Sequence, residues 1–103
     1  MIKVSVMYPS GKDAKFDIGY YTGTHMPLVQ ARLGAALKKI AVEEGLAGGA
    51  PGAPPPYAAF GHLYFDSVEA FQAAFGPHAN EIMGDLPNFT NIQPTIQISA
   101  VKL

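Results

Sequence analysis

Cysteine is absent from the 103 residues. That excludes disulfides, thiolate metal sites and cysteine nucleophiles, so the fold has to hold by packing alone. Charge is also scarce, at 15% of residues, with seven Lys and Arg against eight Asp and Glu for a net of −1. There is neither a basic footprint for nucleic acid nor an acidic tail, which makes nucleic acid and anionic membrane poor partners. No stretch approaches the roughly 20 consecutive apolar residues of a membrane span. The N-terminal Met1-Ile2-Lys3-Val4-Ser5-Val6-Met7 alternates apolar and polar residues and does not read as a signal peptide. The expectation is a soluble, cytoplasmic protein.

What is present is apolar, at 49% of residues. A chain of this length suits one domain spanning residues 1–103, and folding should remove somewhat over about 60% of the unfolded surface from water.

Residues 2–8 read as a strand, with Ile2, Val4, Val6 and Tyr8 on one face and Lys3, Ser5 and Met7 on the other. Pro9-Ser10-Gly11 ends it. Asp17 suits a helix N-cap, and Ile18, Tyr21, His25, Leu28 and Arg32 follow at spacings of three and four, along one stripe. Pro27 lacks the amide that would bond to Gly23, which predicts a helix broken or kinked around Gly23 to Met26. Thr24 is then available to cap a second segment that holds Pro27 in its first turn and stops at Gly34.

Residues 35–45 satisfy both a helical and a strand pattern, and are assigned to a strand because Gly34 stops the helix. Gly45 to Tyr57, with Gly48-Gly49, Pro51-Gly52 and Pro54-Pro55-Pro56, reads as a long exposed loop. Residues 58–66 read as a buried strand that sends Ala59, Gly61, Leu63 and Phe65 to one face and Phe60, His62, Tyr64 and Asp66 to the other. Ser67 opens a helix burying Val68, Phe71, Ala74 and Phe75, and a short helix follows from His78 to about Leu86. Pro94 to Leu103 alternates as a last strand.

The order β-α-β-β-α-β is that of an α+β, ferredoxin-like domain: a four-stranded antiparallel sheet with its helices on one face. Because Phe60 and Tyr64 point to the other face, that face calls for a cover, and a second copy across a two-fold axis is the simplest one. The predicted partner is therefore a homodimer mate.

The helical spacing of four sets Tyr21 beside His25. Imidazole titrates near neutrality and a phenol can donate to a developing oxyanion, a pairing suited to enolisation, ring closure or oxygenation of an electron-rich organic molecule. The residue types alone more often mark a His and a Tyr packed in the core and bonded to backbone. The expected arrangement has His25 as the proton-transfer group and Tyr21 as its orienting partner or an oxyanion donor. A small apolar or aromatic ligand would lie among Tyr8, Phe60, His62 and Tyr64. His62 alternatively fits a dimer interface, and His78, after Gly76-Pro77, has the character of an exposed helix start. No His-x-x-His or Glu-x-x-His pairing supports a metal, and the glycines of 45–52 lack the context of a nucleotide loop. No cofactor is expected.

The opening strand Ile2 to Pro9, followed by Phe16-Asp17, Tyr20-Tyr21, His25 and Met26-Pro27-Leu28-Val29, resembles the EthD family, small proteins named for ethyl tert-butyl ether degradation. The long loop, Leu63-Tyr64-Phe65, the Phe71/Phe75 helix and Asp85-Leu86-Pro87-Asn88-Phe89-Thr90 follow in the family's order, and the resemblance of this last segment implies a pocket-edge role for Phe89 and Asn91 in substrate binding. The resemblance implies a dimeric α+β barrel, shared with small cofactor-free monooxygenases, muconolactone-isomerase-like enzymes and polyketide cyclases. It implies an oxidoreductase role in degrading organic compounds, or alternatively a cyclase or isomerase, or a non-catalytic metabolite-binding accessory. Related barrels bind haem, but nothing local favours it here.

Overall fold

The computed structural model describes all residues from Met1 to Leu103. Four strands, β1 (Ile2–Pro9), β2 (Lys39–Glu44), β3 (Tyr57–Phe65) and β4 (Thr95–Ala100), form one sheet in the order β2-β3-β1-β4 with every neighbouring pair antiparallel. The connection from β1 to β2 carries α1 (Ile18–Tyr20), a π-helical turn (Tyr21–His25) and α2 (Met26–Leu33). That from β3 to β4 carries α3 (Val68–Phe75) and α4 (Ala79–Gly84). This is the expected ferredoxin-like arrangement.

Strand alternation decides which residues meet the helices. Val4 of β1 pairs with Leu63 of β3 and Ile98 of β4, and Val6 pairs with Gly61 and Ile96, which puts the apolar row of each strand on one face. Val4, Tyr8, Ala59, Leu63 and Phe65 there join Tyr21, Met26, Val29, Leu33, Ile82 and Phe89 in the buried core. Each large side chain so buried contributes about 1.5–3 kcal/mol. The opposite face, with Lys3, Ser5 and Met7 against Tyr64, His62 and Phe60, has no helix over it.

Asp17 caps α1 as expected, its carboxylate accepting from the Tyr20 amide at 3.0 Å. The irregularity expected around Gly23 to Met26 is there, though not as a break at Pro27. The chain instead widens into the π-turn, where the Met26 amide donates to the Tyr21 carbonyl five residues back, and Pro27 then sits in the first turn of α2. A wider turn absorbs the missing amide and the ring's clash without exposing the helix end. Thr24 therefore caps nothing and is exposed. Gly34 ends α2 with φ at +60°, a region that favours glycine.

The strand assigned to 35–45 is shorter. Gly34–Ala36 makes one more 3-10 turn and β2 begins at Lys39, because the helical propensity of Ala35 and Ala36 extends the preceding coil by a turn. The last strand likewise stops at Ala100, and Val101 to Leu103 run on outside it. The loop before β3 folds on itself through the Gly48 amide on the Ala53 carbonyl and is tied to the end of β1 by Ser10. No helix is long and apolar enough to cross a membrane.

Candidate functional site

A cavity that opens to solvent lies between the helix-covered face of the sheet and α2, α3 and α4. Its walls are almost wholly apolar, supplied by side chains such as Val4, Met26, Leu63, Phe71 and Ile82. Met83 and Ile96, which also line it, are 36% and 49% exposed and mark the mouth at the β4 edge. The polar groups on the wall are the phenols of Tyr8 and Tyr21 and the imidazole of His25.

The π-turn aims Tyr21 and His25 inward while Thr22, Gly23 and Thr24 between them stay in solvent. The two rings lie nearly parallel, 17° apart with centroids at 5.4 Å. They stack rather than share a hydrogen bond, so Tyr21 does not orient the imidazole as expected. Asp85 does: its Oδ2 lies 2.9 Å from His25 Nδ1. With Nδ1 engaged by the carboxylate, Nε2 is the ring nitrogen left for the cavity.

Asp85 is itself held. Its Oδ1 accepts from the Tyr20 hydroxyl at 2.7 Å and the Asn88 side-chain amide at 2.8 Å. Partial burial works to raise the Asp85 pKa, but donation from Asn88, His25 and Tyr20 outweighs it and holds the carboxyl below the usual range. The same bond raises the Tyr20 phenol above its ordinary value. The segment carrying Asp85 is tied to the start of the first helix by the Asp17 amide on the Phe89 carbonyl and by a bridge between Phe16 and Thr90. Two stretches about 65 residues apart in sequence thus make one rigid support.

Tyr8 and Tyr21 meet edge to face, with ring centroids 5.7 Å apart. Burial pushes Tyr21 up to about 12. It pushes Tyr8 higher still, with the Tyr21 charge and hydroxyl adding to the effect. Both are neutral donors near pH 7. The Tyr21 hydroxyl reaches the sheet at Gly61, where any Cβ would collide with it. Phe89 packs behind the pair, 4.6 Å from the His25 ring and 5.1 Å from that of Tyr21, rather than lining the cavity. Asn91 lies outside as well, accepting from the Lys15 amide and donating to the Asp13 carbonyl.

Phe60, His62 and Tyr64 do not join this cluster. Strand alternation carries them through the sheet to the uncovered face, so the expected grouping with Tyr8, Tyr21 and His25 does not form within one chain. There His62 Nδ1 lies 3.0 Å from Ser5 Oγ and Nε2 lies 3.0 Å from Glu43. The loop of residues 46–56 contributes nothing to the cavity wall. His25, His62 and His78 stand apart, and no group of three His, Asp or Glu side chains is arranged for a metal.

Sequence reading missed Asp85, Tyr20 and Asn88 as a unit. Asp85 and Asn88 differ by three, the spacing of a turn that folds the amide onto the carboxylate, but nothing in the sequence pairs that turn with His25.

Residues 10–93 match the EthD domain. The crystal structure of an EthD-like protein from Ralstonia eutropha JMP134 is similar over 99% of this chain and 92% of that one, at 51% identity and a TM-score of 0.95. An ethyl tert-butyl ether degradation (EthD) family protein from Bacillus halodurans C-125 is 19% identical over 99% of both chains, with a TM-score of 0.68. HapK from Hahella chejuensis is 11% identical over 100% of this chain and 93% of that one, with a TM-score of 0.56. The last two are likenesses of fold. No curated protein matches the chain.

Proposed function

The chain belongs to the EthD family, and from that premise we propose that it binds a small apolar or aromatic organic molecule in the cavity and moves a proton on it through His25. The observation that carries this reading is the His25–Asp85 pair at 2.9 Å, with the ring in the wall of an apolar cavity. A partly buried carboxylate fixes the tautomer and stabilises the imidazolium that forms when Nε2 accepts a proton. Tyr21, stacked along the ring, is the neighbouring donor for the substrate.

The reading needs no cofactor. Proton removal from a phenol or enol gives an electron-rich anion, which can be protonated elsewhere, as in an isomerase or cyclase, or can meet dioxygen, as in a cofactor-free oxygenase. A place in the degradation of organic compounds is suggested by the family's name.

We further propose a homodimer joined through the uncovered sheet face. Met7, Phe60 and Tyr64 make that face too apolar to stay wet, and the Ser5–His62–Glu43 hydrogen bonds would lie within the interface. Sedimentation at micromolar concentration should give a dimer, and a persistent 10.9 kDa species would remove this part.

The catalytic part is tested with 1-tetralone, a flat ketone with a weakly acidic α C–H, by following deuterium exchange at that carbon in D2O. The protein should accelerate exchange, and His25→Gln should abolish the acceleration, a loss of about 100-fold or more. Binding of the ketone with no exchange would mean a metabolite carrier instead.

A further inference from the structure

No Lys or Arg lines the cavity, and its polar groups are two phenols and one imidazole. A substrate that arrived with a permanent negative charge, such as a carboxylate or phosphate, would surrender its hydration with no cation to replace it. A neutral substrate faces no such cost, and a charge that develops on it only during reaction meets donors already in place.

The donors are built into the fold. Tyr8 comes from β1 and Tyr21 from the π-turn, with rings edge to face, while the His25 ring lies along that of Tyr21. Gly61 of β3 supplies the space that lets the Tyr21 hydroxyl reach the sheet beside Tyr8. Resting on the reading of His25 as the proton-transfer group, we propose that the substrate is a neutral, enolisable carbonyl compound bearing an aromatic or similarly flat apolar body, whose carbonyl oxygen is received by the Tyr8 and Tyr21 hydroxyls.

The step balances without an oxidant. The Nε2 lone pair of His25 takes the hydrogen next to the carbonyl as a proton, and the electron pair of the broken C–H bond becomes the new C=C bond. The carbonyl π pair moves onto oxygen, where the two phenols donate to it. Return of the proton to the same carbon gives exchange, and to another carbon gives an isomer. Burial keeps both phenols protonated through neutral pH, so they serve as donors and not as bases.

The test compares naphthalene, 1-naphthol and 1-naphthoate as probes of the cavity, read by fluorescence titration of the whole protein. 1-Naphthol resembles the enol of 1-tetralone and should bind more tightly than naphthalene, and about tenfold or more tighter than 1-naphthoate. Tyr8→Phe and Tyr21→Phe should each weaken 1-naphthol about tenfold and leave naphthalene unchanged. Gly61→Ala, which displaces the Tyr21 hydroxyl, should reproduce the Tyr21→Phe result. Equal binding of 1-naphthoate and 1-naphthol, or unchanged 1-naphthol binding in both Tyr variants, overturns the proposal. His25→Gln separates the two ideas: it should keep 1-naphthol binding and lose 1-tetralone exchange. Exchange that survives His25→Gln while the Tyr variants still weaken 1-naphthol removes the proton-transfer reading alone. Failure of all three probes to bind overturns both.

Discussion

A buried histidine lies against each face of the sheet, His25 from the π-turn and His62 from β3, and each lies about one hydrogen bond from a carboxylate, at 2.9 Å for His25 and 3.0 Å for His62. They differ in what the second nitrogen does. His62 spends both, on Ser5 and Glu43, and its acid is 60% exposed. His25 spends one, on an acid only 13% exposed and gripped by Tyr20 and Asn88, and turns the other to an apolar cavity. A ring engaged at both nitrogens is a fixed strut. One anchored at a single nitrogen keeps a lone pair for chemistry.

The sharpest way to break this contrast is to remove the packing behind each ring. Phe89 is 4% exposed and touches the rings of Tyr8, Phe16, Tyr20, Tyr21 and His25. Phe89→Ala should cost about 3–5 kcal/mol in urea denaturation. Phe60, stacked on His62 but only partly buried, should cost about 1 kcal/mol or less per chain, since much of its surface is already wet, and should weaken self-association. Equal losses would mean that the two faces are equally organised.

The next effect falls on the acids. Asp85→Asn keeps the size of the side chain but removes the charge that holds the His25 tautomer. It should lower kcat for 1-tetralone exchange about 10- to 100-fold with KM little changed, by analogy with the outer partners of other functional histidines. Glu43→Gln should leave exchange within about twofold, because its histidine is on the other face. A matching fall in the two variants would erase the distinction between strut and base.

Much of this was legible in the sequence, and the reasons are local. Alternation in Ile2 to Tyr8 and in Tyr57 to Phe65 fixes which side chains share a face, so β1, β3 and the apolar row beneath the helices follow from period two alone. The cap at Asp17 and the stop at Gly34 are equally local. Tyr21 and His25 came together because a spacing of four survives even a π-turn. What was not legible depends on tertiary contact. Nothing at Asp85 says that it meets a histidine 60 residues earlier, and grouping Phe60, His62 and Tyr64 with Tyr8 overlooked their own alternation.

pH gives a gentler test. Tyr21 rises from an unfolded value near 10 to about 12 in the fold, and Tyr8 shifts the same way. Each group contributes stability that is fully present below pH about 10 and is lost as pH rises toward the folded value, because the unfolded chain releases those protons first. Urea midpoints should therefore fall above pH about 10, and Tyr8→Phe or Tyr21→Phe should flatten that fall. Asp85 works at the other end, its lowered value giving stability that is present above about pH 4 and lost as acid protonates it.

The smallest effect is expected where the contrast is weakest energetically, at Glu43. Its 3.0 Å contact with His62 is as short as a good hydrogen bond, yet the carboxylate is mostly in water. Solvent screens the attraction, and freeing the side chain returns rotamer entropy, so Glu43→Gln should change the unfolding free energy by less than about 1 kcal/mol. A loss of several kcal/mol in dilute monomer would mean that the His62 contact is electrostatically as tight as that of His25. The same loss only at concentrations where two copies associate would instead locate Glu43 inside the interface, where a second sheet removes the water that now screens it.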